Sequence, residues 1–124
     1  MRKAVAAAVF FLMGAASLAA CPAGLVPMRQ ADLYFGHVGE ADWRDFLARE
    51  VTPRFPAGLT VEDAAGQWRD ARGVIVREAS KHLILVLGGA PDEAVRLAAI
   101  RRAFKRHFHQ QSVLLVEHPV CGSF

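Results

Sequence analysis

Hydrophobic positions along the chain follow two periods, and these alternate in the order strand, helix, strand, strand, helix, strand. Residues 31–37 (ADLYFGH) alternate, with Leu33 and Phe35 on one face and Asp32 and Tyr34 on the other. Gly36 suggests a bulge or a close backbone approach. Residues 40–51 carry Trp43, Phe46, Leu47 and Val51 on one helical stripe, with Asp42, Arg44, Asp45 and Arg49 facing out. Glu40 and Asp42 sit in the first turn, where the helix dipole favours carboxylates. Pro53 ends this helix near Val51, because the residue before a proline avoids helical geometry. Residues 59–68 begin as an alternating strand with Leu59 and Val61 inward, and Gly66 is read as a bulge. Residues 70–73 (DARG) form a hairpin turn, with Gly73 free to take positive φ. Residues 74–77 return as the partner strand. Residues 82–87 (HLILVL) are almost continuously apolar, the pattern of a covered central strand, and a bend is placed at 79–81. Pro91 opens the second helix, and Leu97, Ile100, Phe104 and Phe108 are its buried stripe. Residues 112–118 (SVLLVEH) are the last strand.

The order β-α-β-β-α-β predicts an α+β fold of the ferredoxin-like kind, one antiparallel sheet with two helices on one face. The first and last strands are then antiparallel neighbours. Cys21 precedes the first and Cys121 follows the last, so this topology brings the two cysteines toward each other.

The 124-residue chain is 53% hydrophobic with a formal charge of +3. Residues 1–20 read as an export signal: Arg2 and Lys3, an apolar run over residues 4–16, then the small residues Ser17, Ala19 and Ala20 around Leu18. The run is too short to span a bilayer. Removing it lowers the formal charge to +1, which weakens any nucleic-acid reading. Residues 21–30 read as a leader and residues 31–124 as a single domain, long enough for one core.

The cysteines allow two readings. Leu18, Ala19, Ala20 and Cys21 match a bacterial lipobox, which would lipidate Cys21 and anchor the chain at the membrane. Cleavage after Ala19 would instead leave Cys21 to pair with Cys121, the commoner fate of two cysteines in an exported chain. The first reading gives a lipid-anchored protein and the second a periplasmic or secreted one.

The segments ADLYFG, DW-x-x-FL, EVTPRFPAGLTV, GQWRD, VREASK and VCGSF together resemble a family of small exported bacterial proteins, a domain of unknown function numbered 3574. The resemblance covers the chain from about Cys21 to Phe124 and rests most on TPRFP-x-GLTV and GQW. It implies a cysteine before the first strand and another in the terminal V-C-x-S-F, here Cys21 and Cys121, and so supports the disulfide. The connection over residues 36–40 is shorter than the glycine-rich loop that the family pattern implies. The resemblance implies no activity.

Arg54, Gln67, Trp68, Arg77, Glu78 and Lys81 are the polar and aromatic residues of the most tightly written segment. As a site, Arg54 and Lys81 would hold an anion, with Gln67, Trp68 and Arg77 completing a ligand wall and Glu78 acting as base. As structure, the same residues are an ion-pair network pinning the corner after the first helix to the hairpin. His107, His109, His118 and Glu117 are candidate metal ligands, but a helix end would point His107 and His109 apart, and no metal is expected. His37 and His82 stand alone in the sequence. The basic stripe from Arg96 to Arg106 reads either as a contact for anionic lipid headgroups or an acidic partner, or as a solvated helix face. No nucleophile elbow or phosphate loop is present, and no cofactor is implied.

The leading expectation is a small non-catalytic exported protein with a binding or structural role, able to form a homodimer through its sheet. The alternative is a cofactor-independent enzyme with a pocket near Arg54, Glu78 and Lys81, with His37 as a further catalytic candidate.

Overall fold

The computed structural model describes residues 20–124. The export signal expected over residues 1–20 therefore lies, but for Ala20, outside the described residues. The elements are β1 (Val26–Phe35), α1 (Glu40–Phe46) with a π-helical continuation (Leu47–Val51), β2 (Thr60–Arg69), β3 (Ile75–Leu87), α2 (Glu93–His107) and β4 (Leu114–Gly122). They form one four-stranded antiparallel sheet in the order β2-β3-β1-β4. This is the ferredoxin-like α+β arrangement read from the sequence.

The alternation of β1 decides which face is covered. Ala31, Leu33 and Phe35 are buried on the helix side, matched by Leu83, Leu85 and Leu87 of β3. Trp43, Phe46 and Val51 from the first helix and Leu97, Ile100, Ala103 and Phe104 from α2 close over them. Phe108 packs partly buried against this core, completing the expected stripe of α2.

Several boundaries differ from the sequence reading, each for a physical reason. β1 begins at Val26, inside the expected leader. Pro27 is tolerated there because pairing with β3 starts only at Arg29, so the first residues of β1 have β4 as their one neighbour. β4 likewise runs through Pro119 to Gly122, since it is an edge strand and the missing N–H leaves no ladder bond unmade on its open side. β3 is one continuous strand without a bend at 79–81, and its pairing passes Gly66 opposite Glu78 without a bulge. Val61 is more exposed than expected, because β2 is the outer strand on its side.

The first helix keeps its predicted length but widens at its end, where Thr52 N–H donates to the Leu47 carbonyl at 2.9 Å, a five-residue span. Pro53 has no N–H to continue it, and Arg54 and Phe55 N–H both donate to the Val51 carbonyl. Gly36 fulfils its reading as a site of close approach: a Cβ there would lie 2.8 Å from the Gln110 side-chain oxygen.

The β2–β3 turn is fixed by Asp70. Its Oδ1 accepts from the N–H groups of Arg72 and Val74, each at 2.9 Å, and Gly73 takes φ 81°. These N–H donors, that of Val74 foremost, hold the Asp70 carboxyl below its ordinary value.

Cys21 and Cys121 form a disulfide, with their Cα atoms 5.6 Å apart and 100 residues between them in sequence. It ties the segment before β1 to the edge strand. Closing so long a loop restricts the unfolded chain strongly, and reduction is expected to lower stability by about 2–5 kcal/mol. Urea unfolding with and without dithiothreitol measures this, and coincident curves would show that the bridge contributes nothing.

Candidate functional site

The residues singled out from the sequence separate into distinct places. Arg54 turns back on its own helix: its Nη1 donates to the Glu50 carbonyl at 2.6 Å and to Glu50 Oε2 at 2.8 Å. The Arg54 carbonyl accepts from Arg96 of α2 at 2.6 Å, and the Arg96 guanidinium lies 4.9 Å over the Phe55 ring while Nη2 reaches Asp92. The TPRFP corner is thus clamped to α2. Arg101 is held in the same way, donating twice to the Val113 carbonyl at 3.0 and 2.9 Å. Two of the arginines in the basic stripe therefore fasten the fold rather than facing solvent.

Lys81 sits on the helix side of β3, opposite Asp63 of β2. Its ammonium donates to Asp63 Oδ1 at 2.5 Å and to Glu40 Oε2 at 2.7 Å, joining the outer strand pair to the start of α1. The bonds to Asp63 and Glu40 raise Lys81 above its ordinary value, and the bond from Lys81 lowers Glu40. His37 lines a cleft of about 370 Å³ beside this cluster, with Glu40, Asp63, Ala79 and Ser80.

Glu78 and Trp68 lie elsewhere, on the ribbon that β2 and β3 make beyond the end of β1. They line a cleft of about 490 Å³ with His109, Gln110, Gln111 and Ser112. Gln67 and Arg77 pair with each other on the opposite face of that ribbon, both exposed. The enzyme reading required Arg54, Glu78 and Lys81 in one pocket, and the fold places them in three different environments. The network reading is also corrected: Arg54 pins its corner to α2, while Lys81, not Arg54, ties the strand pair to the first helix.

The histidines also diverge. His107 faces Glu50 at 3.8 Å, His118 faces Asp32 at 3.6 Å, and His109 is in the Trp68 cleft. Glu117 pairs with Arg29. Among the described residues no group of three His, Cys, Asp or Glu side chains is arranged to hold a metal ion.

The most organised polar cluster was not singled out from the sequence. Asp32 is 6% exposed in β1, on the sheet face opposite the helices. Its Oδ1 lies 2.8 Å from His82 Nε2, and its carboxylate accepts from Gln30 Nε2 at 3.1 and 3.2 Å. His82 Nδ1 in turn meets Glu62 Oε2 at 3.1 Å, and the His82 ring stacks on Tyr34 with centroids 4.5 Å apart. With both nitrogens engaged, His82 acts as a fastener between strands. The sequence carried one signal: an aspartate in a strand whose partner is HLILVL, where aspartate is otherwise depleted.

Two predictions follow from these contacts. Lys81→Met should lower the thermal midpoint most between about pH 4.5 and 10.5, the ordinary values of the two groups. The wild-type advantage shrinks as pH falls through the lowered Glu40 value and as it rises through the raised Lys81 value. A pH-independent difference would remove the ion pairs from the explanation. Asp32→Ala leaves His82 and Gln30 without their acceptor and should cost about 1–3 kcal/mol in denaturant unfolding.

Comparison with known proteins agrees with this fold. The chain is similar to a phage SAM lyase solved in complex with S-methyl-5'-thioadenosine, at 17% identity over 78% of this chain and 90% of that one, with a TM-score of 0.59. It is similar to CutA from Synechococcus elongatus at 13% identity over 82% of this chain and 87% of that one, with a TM-score of 0.56. At such identities the likeness is one of fold. No curated protein matches the sequence. The profile of one family, described as Protein of unknown function (DUF3574), matches residues 29–124, and the chain belongs to that family.

Proposed function

We propose that this is an exported, non-catalytic binding protein that works as a homodimer joined through the uncovered face of its sheet. The observation that carries this reading is the composition of that face. The strand register places Val26, Met28, Gln30, Asp32 and Tyr34 of β1 there, with Thr60 and Glu62 of β2. His82, Ile84 and Val86 of β3 and Leu114, Val116, His118 and Val120 of β4 lie beside them. Val26, Tyr34, Val86, Leu114 and Val116 are exposed. No lysine or arginine of the paired strands falls on this side. The solvated face of an antiparallel sheet usually alternates to polar residues, whereas interfaces are depleted in lysine and enriched in aromatics and methionine.

A second copy fits for two reasons. The polar groups near the centre of the face already engage one another, Asp32 and Glu62 with His82 and His118 facing Asp32, so they do not depend on partners from the second copy. The stretches of β1, β4, β3 and β2 that lie side by side on this face, in strands about 4.8 Å apart, give an area of roughly 450 Å², about half of the roughly 800 Å² each partner contributes to a stable complex, which suits a weak, reversible dimer.

Export is supported by the disulfide, which persists in oxidising compartments. The Cys21 sulfur is engaged in that bond, which favours the periplasmic or secreted reading over a lipid anchor. The non-catalytic reading is supported by the dispersal of Arg54, Glu78 and Lys81 and by the engagement of both His82 nitrogens.

Sedimentation velocity over a micromolar concentration series tests the dimer. Wild type is expected to sediment as a dimer and Val116→Asp as a folded monomer, because burying the added carboxylate is costly. A wild-type monomer at every concentration would end the proposal.

A further inference from the structure

We propose that the cleft between the overhanging β2–β3 ribbon and the loop after α2 binds an uncharged saccharide. β1 ends at Phe35, which pairs with Lys81. The β2–β3 pairing continues for six further pairs, from Ala64 with Ser80 to Arg69 with Ile75. This ribbon projects past the part of the sheet that self-association would cover. Trp68 and Glu78 lie on one face of it, and Gly66, paired with Glu78, leaves room beside the indole. The loop carrying His109, Gln110, Gln111 and Ser112 closes the other side around about 490 Å³, a volume suited to a small ligand.

The chemistry of the lining selects the ligand. Trp68 is 53% exposed, in contrast to the core Trp43 at 1%, so its indole is a platform rather than packing. Two amides, a hydroxyl, an imidazole and one carboxylate surround it, with no lysine or arginine. Phosphate and carboxylate ligands would lack a counter-charge. Sugar hydroxyls both donate and accept, and the Gln110, Gln111 and Ser112 side chains offer both functions, while Glu78 accepts. The apolar C–H face of a pyranose ring matches the indole.

The loop is set in advance. Gln110 N–H donates to the Lys105 carbonyl at 3.2 Å, and its side chain occupies the space above Gly36 that any Cβ would invade. His109 takes φ 54°, a left-handed conformation uncommon outside glycine and held only where the surroundings fix it. A loop already ordered loses less entropy on binding.

The test uses the full disulfide-bonded chain, titrated with tri-N-acetylchitotriose and with maltotriose up to millimolar concentrations. Binding is followed by tryptophan fluorescence and by calorimetry. At least one trisaccharide is expected to bind and to shift the emission. Trp68→Ala should weaken binding by at least about tenfold, the loss of a central aromatic contact. Trp68→Phe should restore part of it. Gln111→Ala, at an exposed position, provides an independent variant, expected to bind several-fold more weakly with an unchanged thermal midpoint. The proposal is overturned if neither sugar binds, if binding is indifferent to Trp68→Ala and Gln111→Ala, or if tetramethylammonium binds this cleft in preference to both sugars. That last outcome would make Trp68 and Glu78 a cation site.

Discussion

Phe35 is the point on which sheet and helices meet. It is the last residue of the central strand, 1% exposed, and its ring contacts Trp43, Phe46 and Phe104 at centroid distances of 5.2, 6.1 and 4.6 Å. One side chain thereby joins β1 to both helices. Such tilted and edge-on aromatic pairs each add about 0.5–1.5 kcal/mol beyond their buried area. Because β1 pairs with both β3 and β4, the position of Phe35 also fixes the register of three strands, and a slip of one residue would turn Phe35 to solvent and Tyr34 inward.

That constraint makes the sheet one-sided. Ala31, Leu33 and Phe35 at odd positions of β1 are committed to the helices, so the even positions have no layer above them. A domain of this size cannot cover both faces with two helices. The even face must be solvated, paired with itself, or given to a partner. This chain engages Asp32, Glu62 and His82 with one another and places Val26, Ile84, Val86, Leu114 and Val116 around them, together with Gln30, Thr60 and His118. The disulfide contributes on the same side of the problem, holding the segment before β1 to an edge strand that few helix residues touch.

How much of this was legible in the sequence depends on the range of the interaction. Period and punctuation are local, so the six elements, the Asp70 turn and the buried stripe of α2 could be read directly. The limits of β1 and β4 could not, since Pro27 and Pro119 look like breakers until the strand order shows which edge they face. The π-helical widening before Pro53 likewise has no separate pattern. The site was legible in composition but not in grouping. Arg54, Lys81 and Glu78 are neighbours in the sequence segment, yet strand alternation and the overhang of the ribbon send them to different environments. His82 looked solitary because its partners are 20 and 50 residues away. Gln110 and Ser112 carried no signal at all, for a polar loop after a helix is ordinary until Trp68 is seen to face it.

A wider point concerns what the charged residues are for. The Arg54, Arg96, Arg101 and Lys81 side chains all bond within the fold to carbonyls or carboxylates, with Arg96 Nε buried and unpaired. Three of these long side chains reach across a junction between elements, Arg96 from α2 to the corner, Arg101 from α2 to the residue before β4 and Lys81 from β3 to α1, while Arg54 turns back on Glu50. A domain with a small core gains from such clamps, because they fix relative positions that apolar contacts alone leave loose. Charge count alone is therefore a poor guide to binding in this protein, because several of its cations are spent on the fold. The two surfaces proposed above to take a partner, the even face of the sheet and the cleft under Trp68, carry no lysine or arginine, while Arg102, Lys105 and Arg106 stand exposed on α2.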